Sequence, residues 1–214
     1  MLTYPDIDEG KKAVIFGLDD VLFPKKDYLL QVYYLFAHLL EYMETVPPAK
    51  DLTDFLKTAY EHHGESGLFN RAADAFGIDP KYRENFDRLH IAAKLPLKLL
   101  LYQPMLDLMR ALNGDGKQVF ILTPDNPAMQ LNKLKHLEWN GLDRSLKVYF
   151  QEELTAKRLH PLHFLLTDNG LHASDVVCIG AGNWNTALPN GGEIDLIDAA
   201  RFVHPSGSQK IDTP

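Results

Sequence analysis

Two adjacent carboxylates, Asp19 and Asp20, follow a short apolar stretch at residues 12–18. An apolar run of this length that ends in acidic residues is typical of a buried strand followed by a loop. In an open parallel sheet, ligands bind at the carboxyl ends of the strands. A carboxylate there could attack an electrophile, transfer a proton or ligate a metal ion. The loop after this strand is therefore the first candidate for a site of chemistry.

Other polar groups that suit the same chemistry occur in the second half of the chain. Thr123 comes directly after an apolar run and offers a hydroxyl that could hydrogen-bond an anion. Lys157 and Arg158 are cations that precede a predicted helix, and either of them could reach the same edge of a sheet. Asn185 follows a late apolar run and offers a neutral amide oxygen. A hydroxyl and an amide after apolar runs, with a cation before a helix, are compatible with a small anionic ligand.

Helical and strand patterns alternate in the second half of the chain. This alternation favours parallel strands joined by crossover helices. The segment Trp139-Asn140-Gly141 is typical of a helix end with glycine after the last turn. The strands predicted from apolar runs cover residues 12–18, 118–122, 147–150, 175–179, 194–197 and 201–203, and the helices between them cover 103–113, 127–137 and 160–169.

Residues 24–98 contain no convincing strand pattern. Apolar residues recur there at helical spacing, and Asp27 is expected to cap the first helix. The further helical patterns cover 51–62, 66–76 and the stretch that begins at Asp79-Pro80. The sequence therefore predicts an α/β core domain made of residues 1–23 and 99–214, with an all-helical domain inserted at 24–98.

The run from Ala13 to Phe23 resembles the first motif of the haloacid dehalogenase (HAD) superfamily of phosphatases and related hydrolases. That motif is an apolar strand followed by Asp-x-Asp-x-Thr/Val-Leu, and it places Asp19 at the second Asp and Val21 at the Thr/Val position. The resemblance extends to about residue 198. It implies a Rossmann-like three-layer core with a parallel sheet, a C1-type helical cap and Mg²⁺-dependent hydrolase activity.

The resemblance also implies roles for individual residues. Asp19 takes the place of the general acid and base, and its main-chain carbonyl takes that of a Mg²⁺ ligand. Thr123 corresponds to the hydroxyl that hydrogen-bonds the phosphoryl group. The cation that steadies the phosphate charge corresponds to Lys157 or, counting back from Pro161, to Arg158.

Three positions depart from the family pattern. The covalent nucleophile falls on Gly17, and the two Asp residues of the last motif fall on Ala181 and Asn185. Glycine cannot supply the carboxylate that attacks phosphorus. Mg²⁺ prefers carboxylate ligands, and here only Asn185 and the carbonyl of Asp19 are left to bind it. We therefore expect weak or absent Mg²⁺ binding and an impaired hydrolase.

Two other functions are compatible with the same residues. In the first, the protein is an active phosphomonoester hydrolase with a rearranged site, in which Asp19 or Asp20 acts as nucleophile or base. In the second, the protein is a non-catalytic regulatory or interaction protein that uses the cleft or the cap. The sequence does not identify a protein partner.

Composition excludes several classes of partner. The net charge of −7 and the lack of a long basic run argue against a nucleic-acid surface. No apolar stretch reaches the ~18 residues that span a bilayer, and the first ten residues have no signal-peptide core. A cytoplasmic location and a small phosphorylated or anionic ligand are therefore the expectations. The single cysteine, Cys178, lies in an apolar run and is expected to be a buried thiol.

Overall fold

The computed structural model describes residues 2–182 and 184–203. The chain divides into two compact units. The first, called the core unit here, contains the residues up to Pro24, Leu100–Pro127 and the described residues from Glu138 onward. The second, called the helical unit, contains Lys25–Leu99 and Ala128–Leu137.

The elements are given in chain order, with five short 3-10 turns left unlabelled. They are β1 (Ala13–Phe16), α1 (Lys25–Glu44), α2 (Ala49–His63), α3 (Leu68–Phe76), α4 (Arg83–Ala92), β2 (Leu99–Leu100), α5 (Gln103–Gly114), β3 (Gln118–Thr123), α6 (Pro127–His136), β4 (Leu137–Glu138), β5 (Lys147–Phe150), α7 (Gln151–Ala156), α8 (Pro161–Asp168), β6 (Val176–Gly180) and β7 (Asp195–Asp198).

The core unit is built on a five-stranded parallel sheet in the order β5-β3-β1-β6-β7. Phe16 of β1 lies opposite Ile121 on one side and Ile179 on the other. The connection from β1 leads to β3, and the connection from β6 leads to β7 on the opposite side. The strand order therefore reverses between β1 and β6, and ligands of such sheets bind at the carboxyl edge beside this switch point.

Both faces of the central strands are buried, as expected for a parallel sheet covered by helices. On one face, alternate residues of β1, β3 and β6 pack against α8, whose Leu162, Leu165 and Leu166 are buried. On the other face, the intervening residues of the same strands are also buried, and α5 contacts β3. Cys178 belongs to the α8 face, where burial raises the pKa of its thiol to about 12. The predicted α/β fold class, a Rossmann-like core with an additional helical cap, is confirmed.

The helical unit has a core of aromatic side chains. Phe36 of α1 meets Phe86 of α4 edge-on, with ring centroids 4.9 Å apart, and Phe69 of α3 lies 5.6 Å from Phe86. Edge-to-face pairs of this kind place the positive ring edge against the negative face. The buried face of α1, where apolar residues recur at helical spacing, is therefore covered by other helices.

Side chains from α1 and α6 donate hydrogen bonds to carbonyl groups at the C-terminal end of α4. The last carbonyls of a helix have no intrahelical donor. The hydroxyl of Tyr28 donates to the carbonyl of His90 at 2.6 Å, and the amide of Asn132 donates to the carbonyl of Ala93 at 2.9 Å. Residues 128–137, which the sequence assigned to the core domain, cluster with the helical unit, and Asn132 is one of the contacts that bring them there.

Three local predictions from the sequence are wrong. The predicted strand 201–203 is absent, because Asp198 caps a 3-10 turn at Ala199–Arg201 through the backbone N–H of Ala200. Asp27 is not a cap, since α1 begins at Lys25 and Asp27 lies in its first turn. Gly141 has the expected positive φ of 88°, but it precedes a 3-10 turn instead of ending a helix.

No helix among residues 2–182 and 184–203 is long and apolar enough to cross a membrane.

Candidate functional site

The switch point between β1 and β6 is lined by two glycines. The backbone N–H of Gly17 donates to the carbonyl of Ile179 at 2.9 Å, which extends the pairing of the two strands by one residue. A Cβ atom built on Gly17 would lie 3.9 Å from the Cα of Gly180. The place where the sheet positions ligands is therefore bounded by backbone on both central strands.

The space for a side chain at Gly17 is restricted by Val21. A Cβ atom on Gly17 would lie 3.0 Å from Cγ2 of Val21, which is closer than most non-bonded contacts of a Cβ atom. Val21 itself is almost fully buried. The backbone of Gly17 is not in the left-handed region, so a side chain is opposed only by this contact.

The space above Gly180 is occupied by an indole ring. A Cβ atom on Gly180 would lie 2.4 Å from Cε3 of Trp184, a distance that real atoms do not adopt. Trp184 is half-buried and packs against the core cluster that includes α8. Glycine at position 180 is therefore required by packing. Ala181, the predicted metal position, is exposed and has only a methyl group.

Asp19 lies in a tight loop that leads away from β1. The N–H of Leu22 donates to the carbonyl of Leu18 at 3.0 Å, and the N–H of Asp20 donates to the carbonyl of Phe23 at 2.9 Å. Asp19 is half-buried, with one carboxylate oxygen shielded from solvent. The side chain thus remains beside the carboxyl end of β1, where the sequence predicted it.

Thr123 ends β3, the neighbour of β1 on the other side. It is fully buried, and its hydroxyl lies 3.4 Å from the carbonyl of Pro124, a long and weak hydrogen bond. The parallel register places Thr123 opposite Phe150 of β5 and two residues beyond Ile121, the partner of Phe16. Thr123 is therefore at the same edge of the sheet as Gly17, and its hydroxyl has capacity for a further hydrogen bond.

Lys157 and Arg158 follow α7, the short helix after β5. Both side chains are exposed, and within the described part of the chain neither forms an ion pair. Lys157 ends the helix, and Arg158 adopts a φ of +60° there, a region that favours glycine. The structure does not bring either cation into contact with Asp19 or Thr123, so the choice between the two stays a prediction.

The residues present do not fit the Mg²⁺ ion that the family pattern implies. Gly17 has no ligand atom and Ala181 has none. The side-chain oxygen of Asn185 accepts a hydrogen bond from the N–H of Ala187 at 3.1 Å, so part of its ligand capacity is already used. Outside the undescribed positions, no group of three or more His, Cys, Asp or Glu side chains is arranged to hold a metal ion. Asn183, part of the fourth motif, lies outside the described residues.

Left-handed backbone at this edge was not predicted from the sequence. Asp20 has a φ of 58° and Asp125 a φ of 67°, and they follow the adjacent strands β1 and β3. Such conformations cost on the order of 1–3 kcal/mol each and cluster at functional sites. The Pro124-Asp125-Asn126 turn signal after β3 could have identified Asp125, since Asp tolerates this region.

No family model matches the sequence, and no curated protein matches it. The fold, however, is similar to several solved structures. An L-2-haloacid dehalogenase is 14% identical, with a TM-score of 0.51, and the match covers 94% of this chain and 91% of that protein. A HAD phosphatase from Thermococcus onnurineus is 18% identical, with a TM-score of 0.46, and covers 80% of this chain and 77% of its own. A HAD family hydrolase from Deinococcus radiodurans R1, whose structure holds phosphate and sodium, is 15% identical with a TM-score of 0.46, covering 82% and 74%.

The chain thus has the fold of the haloacid dehalogenase-like hydrolases, as the first motif predicted. The similarity to the L-2-haloacid dehalogenase spans nearly the whole length of both proteins. At this identity the comparison establishes the fold. The chemistry must be argued from the residues at the sheet edge.

Proposed function

We propose that this chain is a catalytically impaired protein of the HAD-like fold that binds a small phosphorylated or anionic ligand. The observation that supports the proposal best is Gly17 at the switch point. Covalent phosphoryl transfer needs a carboxylate oxygen there, and Val21 fills part of the space that such a side chain would use. The edge that the fold reserves for chemistry therefore has no nucleophile in the expected place.

The polar groups that are present suit binding of an anion: Thr123 lies at this edge, and Lys157 or Arg158 is predicted to reach it. Thr123 offers a buried hydroxyl with spare hydrogen-bonding capacity, and Lys157 and Arg158 offer exposed cations. Charge-assisted hydrogen bonds from such groups are stronger than neutral ones. A ligand held by a hydroxyl and a cation needs neither the missing carboxylates nor Mg²⁺.

Catalytic impairment is tested with the purified protein, Mg²⁺ and a panel of phosphomonoesters. We expect the wild type to show no turnover above that of Asp19→Asn. Without a nucleophile at position 17 the covalent reaction does not start, so Asp19 has no step to assist. Robust turnover that Asp19→Asn abolishes would contradict the proposal.

Ligand binding is tested by calorimetry with inorganic phosphate as the probe. Thr123→Val removes the hydroxyl at nearly constant volume, and Lys157→Met and Arg158→Met each remove one cation. We expect Thr123→Val and one of the two cation variants to weaken phosphate binding several-fold. Equal affinity in all four proteins would mean that phosphate does not bind at this edge.

A rearranged hydrolase is the second candidate, and the half-buried carboxylate of Asp19 favours it. In this function Asp19 or Asp20 attacks the phosphorus, and Thr123 with Lys157 holds the phosphate. With Asp19 as the nucleophile, the acid position two residues later is Val21, which cannot transfer a proton. Beryllium fluoride mimics an aspartyl phosphate, and mass spectrometry or crystallography of an adduct on Asp19 or Asp20 would establish this function.

A regulatory or interaction protein is the third candidate. Tyr42, Met43 and Val46 of the helical unit are 87%, 57% and 67% exposed, and they are consecutive or nearly so in the chain. Exposed apolar groups of this kind mark interaction surfaces when they form a patch. A partner recovered with the wild-type chain and lost with Tyr42→Ser and Met43→Ser would favour this function over ligand binding.

A further inference from the structure

Two segments of this acidic chain contain no carboxylate. Residues 88–106 and 126–137 include neither Asp nor Glu, although 29 acidic residues occur among the 214 of the chain. The exposed charged side chains of these segments are all cationic: Arg88, Lys94, Lys98 and Lys135. The local charge is therefore opposite in sign to the net charge of −7.

Hydrogen bonds join the two segments within the helical unit. The side-chain amide of Asn132 donates to the carbonyl of Ala93 at 2.9 Å, and the N–H of Leu95 donates to Nε2 of His136 at 3.1 Å. Asn132 and His136 are four residues apart on α6 and share one stripe of that helix. The start of the loop 93–98 is therefore fixed to this stripe, and the exposed Lys94 lies between the two anchored residues.

The adjacent stripe of α6 is exposed. Leu131 and Lys135 are also four residues apart and share a face. Each of them precedes an anchoring residue by one position, which is a rotation of about 100° around the helix axis. Leu131 is 43% exposed, and Lys135 is exposed as well. A leucine and a lysine therefore flank the anchored loop.

The loop itself carries an apolar side chain at an exposed tip. Pro96, Leu97 and Lys98 are consecutive exposed residues, and Leu97 is 68% exposed. The N–H of Leu97 donates to the side-chain oxygen of Gln31 at 2.9 Å. The backbone of the tip is therefore fixed to α1 while the leucine side chain remains exposed to solvent.

The loop 93–98 and the exposed stripe of α6 together make up a surface that is called the basic patch here. It consists of Lys94, Leu97, Lys98, Leu131 and Lys135. Within the described part of the chain, none of its three lysines forms an ion pair. Their charges are therefore available to an anionic partner.

The residue types of the basic patch suit a lipid surface better than a protein partner. Lysine is depleted in the cores of protein interfaces, and leucine is under-represented among the side chains that dominate their binding energy. At a membrane surface, by contrast, lysines attract anionic headgroups and leucines enter the boundary between headgroups and acyl chains. Three lysines strengthen binding by about 100-fold, at about fivefold each.

The negative net charge of the chain does not cancel this attraction. Exposed charges farther apart than the Debye length, ~8 Å at physiological ionic strength, are largely screened from each other. The charge that a lipid surface meets is therefore that of the patch in contact with it.

We propose that the basic patch binds peripherally to the surface of an anionic lipid membrane, with Leu97 and Leu131 in the interfacial region. The patch shares no residue with the sheet edge that is proposed to bind a small anion. This inference therefore goes beyond the proposed function, and its failure would leave that function untouched.

The test is flotation of the full-length chain with two kinds of vesicle. One consists of phosphatidylcholine alone, and the other also contains about one-third phosphatidylglycerol. We expect binding to the anionic vesicles that weakens as the salt concentration rises, and at most weak binding to the neutral ones. Absence of binding to the anionic vesicles, or equal binding to both kinds, would overturn the proposal.

Variants of the patch identify the residues that bind. Lys94→Gln together with Lys98→Gln should weaken binding to the anionic vesicles about 25-fold. Leu97→Ser should weaken it several-fold, because the apolar side chain no longer leaves water. Binding that none of these substitutions changes would show that another surface meets the lipid, and the proposal would be wrong.

Matched controls separate the patch from the rest of the chain. Lys50→Gln together with Lys57→Gln makes the same charge change on exposed lysines of α2, and Leu196→Ser replaces an exposed leucine of β7. These controls should bind the anionic vesicles like the wild type, and an equal loss in them would contradict a localised patch. Binding that inorganic phosphate abolishes at constant ionic strength would mean that a lipid headgroup occupies the sheet edge instead.

Discussion

The switch point of the core unit contrasts with the aromatic cluster around Tyr33 in the helical unit, which is formed by Tyr60, Phe86 and His90. At the switch point, where the fold positions ligands, Gly17 follows β1 and Gly180 ends β6, and Val21 and Trp184 fill the adjacent space. In the aromatic cluster, the buried hydroxyl of Tyr33 has no hydrogen-bond partner among the described residues.

Burial of a polar atom without a partner opposes folding, whereas loss of clustered carboxylates removes a repulsion. The core unit therefore avoids the repulsion of clustered carboxylates, whereas the helical unit buries one polar atom at a cost in stability. The following variants can break or sharpen this contrast.

The largest effect is expected for Gly180→Ala. The added methyl group would lie 2.4 Å from the ring of Trp184, which must then leave its place against the core. We expect a loss of about 1–3 kcal/mol in the free energy of unfolding, the usual cost of overpacking. Urea unfolding followed by tryptophan fluorescence measures it. Ala181→Ser, at an exposed neighbour, is the control and should change stability by no more than about 0.5 kcal/mol.

The next effect concerns restoration of the missing nucleophile. Gly17→Asp must displace the methyl group of Val21, so Val21→Ala should relieve part of its cost. In a double-mutant cycle we expect a favourable coupling of about 1 kcal/mol between the two substitutions. Strict additivity would show that Val21 is not the barrier.

With Ala181→Asp added to Gly17→Asp, calorimetry should detect Mg²⁺ binding that is stronger than that of the wild type. No gain in affinity would mean that the cleft differs from the family pattern at more than these two positions.

A smaller effect is expected in the pH dependence of stability, and it reports on His90 in the aromatic cluster around Tyr33. Burial lowers the pKa of His90, Lys133 lowers it further, and the Phe86 carbonyl, Glu65 and Asp87 oppose this shift. The unfolded state therefore binds a proton first, and stability falls as the pH decreases below about 6.5, the ordinary histidine pKa. His90→Gln should flatten this slope in urea unfolding between neutral and mildly acidic pH. The exposed His62→Gln should leave it unchanged, and an identical slope in all three proteins would contradict a buried neutral His90.

The smallest effect is expected at Arg158. Its φ of +60° suits glycine, so Arg158→Gly should stabilise the fold by at most about 1 kcal/mol. Lys157→Gly is the matched control, because Lys157 has a φ of −84° and gains nothing from glycine. If Arg158→Gly also weakens phosphate binding while Lys157→Met does not, Arg158 is the cation of the sheet edge.

Most of the sheet could be predicted because each strand is locally encoded. The run at 118–122 is apolar on both faces after Gln118 and the run at 147–150 is apolar after Lys147, and the structure has strands at Gln118–Thr123 and Lys147–Phe150. The predicted strand 201–203 failed because Asp198, a residue outside it, forms a cap that turns the chain first. A cap competes with strand pairing through hydrogen bonds that a hydrophobic pattern does not record.

The positions of three candidate residues could be predicted for the same reason. Gly17 and Asp19 come soon after β1 and Thr123 ends β3, and parallel pairing brings the ends of these strands to one edge. The roles of Lys157 and Arg158 could not be decided, because both lie beyond a short helix whose end sets the direction of the side chains. The packing of Trp184 against Gly180 was not predicted, since nothing in the local sequence pattern indicates that the indole ring lies over this glycine.

The order of apolar runs, their spacing and the residue types at strand ends are properties of the sequence by itself, and they determined the parallel sheet and the absence of a carboxylate at position 17. Which atoms occupy the space around those positions was decided only by the tertiary structure. Val21 beside Gly17 and Trp184 over Gly180 are contacts within one loop, where the path of the chain brings a residue back over the strand end four residues earlier. His90 beside Tyr33 is a contact between two helices, and its distance depends on how whole elements pack.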